Sequence, residues 1–292
     1  MKPGPDKPFT PQDLEELFEI AASCELVLVG GQAVACWAML LERPELEPWK
    51  SKRPYTSRDA DAIGSKTQML EFARALQKLG WKVEIFLPEG NETAINTGAL
   101  RIHGQFANQA ECIEMNFLKH LQGQTYQTIR QQAARIPIDK RDALVIDPLR
   151  LLESKTISLN TLDQHDRQDR SHLQLCVAIA REMLATASKG PLWPTALANA
   201  GEIIGMAKQE FGINTLRFHQ IDLLDAIPWE AWRSSNQPEL SSFANSESLH
   251  RNEVGEILNK DVEIEDWLQQ LNPNPHKSQR PRRNDGNPAE PK

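Results

Sequence analysis

The chain has 292 residues, 40% of them apolar and 25% charged, and its 33 Lys and Arg against 40 Asp and Glu give a formal net charge of -7. The length allows about two domains with real cores, and the acidic balance argues against a general electrostatic binder of nucleic acid. The longest strongly apolar run, 26–41, is divided by Gly30, Gly31 and Gln32 and is too short to span a bilayer, so no membrane partner is expected. The opening MKPGPDKPFTP carries no apolar signal segment. Cys24, Cys36, Cys112 and Cys176 are far apart and form no CxxC pair, which argues against structural zinc and a disulfide framework. A reducing cytoplasm is the expected location.

Thr10-Pro11 reads as a helix start, with Asp13, Glu15 and Glu16 favoured by the dipole of the first turns. That helix is expected to end near Ser23. ELVLVGG then reads as a buried strand stopped by Gly30 and Gly31, and QAVACWAMLLE as an apolar helix ending before Pro44. After a polar loop comes TSRDADAIGS. KTQMLEFARALQKLG reads as an amphipathic helix closed by Gly80. WKVEIFLP, ALRIHG and ECIEMNFL read as strands, with a turn over 90–96 between the first two. The mixture of helices and hairpin-like strands predicts an α+β domain with a mixed sheet and flanking helices over 10–161.

The pattern changes after LVIDP. Asp147-Pro148 starts a helix through LRLLESKTISLNTL, and DQHDRQD breaks it. A long helix follows from about Arg170 to Ser188, stopped by Gly190-Pro191, and ALANAGEIIGMAKQEFG and TLRFHQIDLLDAI are further helical segments. A small all-helical domain is expected over 162–235. The Ser- and Asn-rich stretch after 236 reads as a linker, followed by a short helix within 236–271. The tail 272–292, rich in Pro, Asn and Arg, reads as disordered.

Two short features carry the chemistry. Gly30-Gly31 lets a strand turn tightly into a helix, whose positive end can meet a phosphate. The pattern is neither a Rossmann fingerprint nor a Walker A loop, and a plain strand-to-helix turn is the competing reading. Asp59 and Asp61, two apart, share one face if the segment is extended. Such a pair can hold Mg²⁺ with phosphates, or can cap the next helix or face solvent. On the later strand IEMNFL, Glu114 and Asn116 share a face opposite Met115 and Phe117. They are candidate partners for the aspartates, or the wet side of a half-buried strand.

In this order the motifs resemble the nucleotidyltransferase superfamily with the DNA polymerase beta fold, especially its small bacterial members, including the toxin-like ones. LVLVGGQAVACWA matches the strand-glycine-helix part and SRDADAIG the Asp-x-Asp part. IEMNFL matches the later strand, with Asn116 where the family carries a third Asp. IDPLRLLESKTISL and DRQDRSHLQLCVAIAREML resemble later helices of the family, with Lys155 at a basic position that faces the nucleotide; a solvated Lys155 is the plainer alternative.

The resemblance implies Mg²⁺ and a nucleoside triphosphate as cofactors. Asp59 and Asp61 would be catalytic metal ligands, and Glu114 would compensate for Asn116. Gly30, Gly31, Arg58 and Lys155 would contact the nucleotide. The implied reaction moves a nucleotide to a hydroxyl on RNA, protein or a small molecule. The alternative is a catalytically impaired module of the same fold that binds nucleotide or a protein partner.

Overall fold

The computed structural model describes residues 11–41, 59–88, 96–104, 112–163 and 168–271. A 3-10 turn at Pro11–Leu14 leads into α1, Glu15–Ser23, which buries Leu17, Phe18, Ala21 and Ala22. Strand β1, Val27–Val29, is buried throughout, as befits a strand covered on both faces. Helix α2, Gly30–Leu40, is apolar around most of its girth and buries every residue from Gly31 to Ala38. A helix of that kind belongs inside a protein. Trp37 Nε1 satisfies its one polar atom on Ile146 O at 2.8 Å.

Strand β2, Asp59–Ile63, is followed by α3, Lys66–Lys78. Ser65 and Gln68 form a capping box at its start, and Met69, Phe72, Ala73 and Leu76 fall on one buried face. Strands β3, Lys82–Phe86, β4, Asn96–His103, and β5, Ile113–Leu118, follow, and then the short helix α4, Tyr126–Gln132. The hairpin of β6, Ala134–Ile138, and β7, Arg141–Val145, completes the sheet. The order is β3-β4-β5-β2-β1-β7-β6. Pairings are antiparallel except β2 with β5 and β1 with β7. The mixed sheet with flanking helices is thus observed. The turn expected over 90–96 lies largely outside the described residues, except that Asn96 begins β4.

The helical part begins at α5, Pro148–Thr161. Asp147 caps it, accepting from the Leu149 and Arg150 amides at 2.8 and 3.3 Å, and burial pushes this carboxyl above its usual range. Then come α6, Asp169–Ala187, α7, Trp193–Lys208, and α8, Glu210–His219. The segment TLRFHQIDLLDAI is not one helix. Gln220 takes a left-handed conformation at φ 56° and ends α8, and Asp222 caps a separate 3-10 turn at Leu223–Ala226.

The stretch after 236 is helical rather than a linker. After α9, Trp229–Arg233, it holds α10, Pro238–Ala244, and the 25-residue α11, Glu247–Leu271. Serines and asparagines favour a loop there, but the apolar residues between them decide the matter. Phe243 stacks on Trp229 at 5.6 Å and meets Trp232 edge-on at 5.8 Å, while Leu240, Ala244 and Val254 are buried. Arg251 ties α11 back through Asp222 and Asp225 and pairs with Glu247 within its own helix. One cluster of buried side chains runs from Leu14 through the sheet to Val254. Helix α2 is its centre, packing on β1, β2 and β6 and also on α5 and α6.

Candidate active site

Strand β2 places the acids. Buried Ala60 and Ala62 alternate with exposed Asp59 and half-buried Asp61. The alanines share their face with Met115 and Phe117, and Phe117 meets Phe72 of α3 at 6.1 Å. The two aspartates therefore face the other way.

The neighbouring strands extend that second face. β5 runs parallel to β2, with Glu114 opposite Asp59 and Asn116 opposite Asp61. β4 sets Arg101 opposite Glu114, and β3 sets Glu84 opposite Arg101 and Phe86 opposite Ala99. Residues in register share a face. One row is Glu84, Arg101, Glu114, Asp59; the next is Phe86, Ala99, Asn116, Asp61.

On the other flank β1 puts Val29 opposite Asp61. The next residue, Gly30, turns the chain into α2 at φ +65°. A Cβ on Gly30 would lie 2.5 Å from Asp61 Oδ2 and 3.3 Å from both Asp61 Cβ and Cγ. Backbone and neighbour alike exclude a side chain there. The start of α2, with amides that lack helical partners and the positive end of the dipole, thus abuts the Asp61 carboxylate. Gly31 is buried in the same turn.

Asp59, Asp61, Glu114, Asn116 and Gly30 are therefore brought together. Asn116 Nδ2 donates to Asp61 Oδ1 at 3.3 Å. Glu114 is on the expected face, but Arg101 Nη2 holds its Oε1 at 2.7 Å. Among the described residues no three His, Cys, Asp or Glu side chains are grouped closely enough to hold a metal. Mg²⁺ carried with phosphates needs only one or two protein carboxylates, and Asp59 with Asp61 fits that demand.

Lys155 takes a different position from the one expected. Neither solvated nor facing an open cleft, its side chain is 7% exposed and donates from Nζ to Asp169 Oδ1 at 2.9 Å, with Asp169 3% exposed. The pair joins α5 to the start of α6. Arg58 lies outside the described residues.

Sequence reasoning missed Arg101, Glu84 and Phe86. Their signal was the alternation in KVEIF and ALRIH, which turns them away from the face of Ile102 and Leu100. Burial opposes ionisation of Glu84, but Lys82, His103 and Arg101 outweigh it and hold its pKa below the usual carboxylate value. The hydrogen bond to Glu114 leads the effects that raise Arg101.

No protein-family model matches the chain, and no curated protein matches it. Among solved structures the chain is similar to an antigenic nucleotidyltransferase-like protein from Paracoccidioides brasiliensis, at 12% identity and a TM-score of 0.38, over 66% of this chain and 95% of that one. It is also similar to JHP933 from Helicobacter pylori, at 11% identity and a TM-score of 0.35, over 88% of this chain and 95% of that one. Among the described residues no helix is long and apolar enough to cross a membrane.

Proposed function

We propose that the chain binds a nucleoside triphosphate with Mg²⁺ on the open face of β2 and transfers a nucleotide to a hydroxyl acceptor on RNA, protein or a small molecule. The observation that carries this reading is the contact between Gly30 and Asp61. A carboxylate lies against a residue that admits no Cβ, at the positive end of a buried helix, with a second carboxylate beside it on the same strand face. A structural turn needs the glycine but not two acids on an open face. Mg²⁺ bound by Asp59 and Asp61 would neutralise charge on the phosphorus oxygens and lower the pKa of the attacking hydroxyl. The first amides of α2 would donate to phosphate oxygens. Asn116 orients Asp61 through its amide.

A second reading is favoured by the same amide. Asn116 cannot take a proton as a carboxylate does. A nucleotide-binding or protein-interaction module without transfer would need nothing more than the site has. Labelled-nucleotide transfer onto RNA or protein, with the wild type and Asn116→Asp, separates the two. If the amide blunts an otherwise complete site, Asn116→Asp should raise transfer and tighten Mg²⁺ about tenfold. It should also lower metal-free stability by about 1 kcal/mol, because a hydrogen bond to Asp61 becomes a repulsion. Transfer by neither protein, with Mg²⁺ and nucleotide still bound, would leave the binding module.

A further inference from the structure

The row Glu84, Arg101, Glu114, Asp59 alternates in charge except at its last step, where two acids meet. Arg101 lies between two carboxylates, 2.7 Å from Glu114 Oε1 and 3.7 Å from Glu84 Oε2. Its guanidinium also stands 5.3 Å from the centre of the Phe86 ring, which gives its plane a support. Glu84 has further partners, Lys82 at 3.4 Å and His103 at 3.3 Å. Glu114 stands between Arg101 on one side and Asp59 on the other. Neighbouring strands are about 4.8 Å apart. A glutamate's three side-chain torsions span that distance without moving the backbone.

We propose that Arg101 is a positioning residue that holds Glu114 away from Asp59 and Asp61, so that a cation at the aspartates and Arg101 compete for the Glu114 carboxylate. The inference rests on the reading that the two aspartates hold Mg²⁺. Arg101 and Glu114 are 41% and 60% exposed, and ion pairs so open to water are weak. The hold is therefore breakable by a stronger partner, and a divalent ion between carboxylates is one. The arrangement also gives the site a replacement for the carboxylate missing at Asn116, one strand row away from where the family resemblance places it. Arg101 also limits repulsion, standing as a cation between the Glu84 and Glu114 carboxylates.

Mg²⁺ alone, titrated calorimetrically into the full-length protein, tests this. Arg101→Gln should bind Mg²⁺ about fivefold more tightly than the wild type, the most that release from so exposed an ion pair can give. Two double variants then separate ligation from simple charge. Arg101→Gln with Glu84→Gln and Arg101→Gln with Glu114→Gln carry the same net charge. The first should keep that gain, because Glu114 is present and released; the second should fall back to the wild-type affinity. Melting temperatures near that of the wild type would establish that these exposed substitutions leave the fold intact. Wild-type binding with no gain in Arg101→Gln, or equal behaviour of the two doubles, overturns the role of Arg101 while leaving the aspartate site standing. Absence of Mg²⁺ binding in every variant overturns the aspartate site and this inference together. Binding acquired only by Arg101→Gln, and lost again in its Glu114→Gln double, supports the inference.

Discussion

Lys155→Met is expected to cost about 3–5 kcal/mol of folding stability, because it leaves the Asp169 carboxylate buried without its cation. The side chains are 7% and 3% exposed, so water cannot replace the lost partner. Cys176 reports the dryness of the surroundings. Burial pushes its thiol up to about 12, with Lys155 opposing and Asp169 adding to the shift. The double variant Lys155→Met with Asp169→Leu should recover most of the loss, since two apolar side chains have no charge to desolvate. Urea unfolding of the wild type, both single variants and the double gives the coupling directly. If Lys155 served chiefly a nucleotide, Lys155→Met would weaken nucleotide binding and leave stability nearly unchanged.

Gly30→Ala is expected to lose more than tenfold in Mg²⁺ affinity. The left-handed backbone at φ +65° costs an alanine about 1–2 kcal/mol. The new methyl would also stand 2.5 Å from Asp61 Oδ2, so the carboxylate must swing away from the start of α2. Aspartate has only one torsion between its Cβ and the backbone, and its Cβ and Cγ are both 3.3 Å from the same point, so the displacement is not absorbed at the tip alone. Gly201→Ala in α7 is the control, for its Cβ would meet nothing within 4 Å. That substitution should stabilise by about 0.5–1 kcal/mol and leave Mg²⁺ binding alone. Equal behaviour of the two variants would remove the role given to Gly30.

How much of this was legible beforehand depended on how local each feature is. Gly30 and the Asp59–Asp61 pair were readable because a turn and a two-residue period are written in adjacent residues. The parity of Glu114 and Asn116 was readable for the same reason, and β2 and β5 lie side by side as that parity required. Arg101 was on view in the same way but gained meaning only when β4 paired with β5 and set it opposite Glu114. The burial of Lys155 was invisible, since Asp169 comes 14 residues later and meets it only when α5 and α6 pack. The β6–β7 hairpin was hidden by Pro137, which argues against a central strand. β6 lies at the sheet edge, where a missing amide costs no ladder bond. Residues 236–252 misled by composition, while the helix expected after them is the later part of α11: Ser246 returns its hydroxyl to Phe243 O at 2.6 Å, and the aromatic contacts of Phe243 hold the helices in place.

The proposed function requires Asp59 and Asp61 to form, with the start of α2, a site for Mg²⁺ and a nucleoside triphosphate. The most direct measurement is calorimetric titration of non-hydrolysable analogues of the four common nucleoside triphosphates, with and without Mg²⁺, into the wild type and into the double variant Asp59→Asn with Asp61→Asn. The amides keep the shape of both side chains and remove their charge. The wild type is expected to bind at least one analogue only with Mg²⁺, and the double variant, melting within a few degrees of the wild type, to bind none. Binding of an analogue equally well by both proteins, or by neither, would contradict the proposed function.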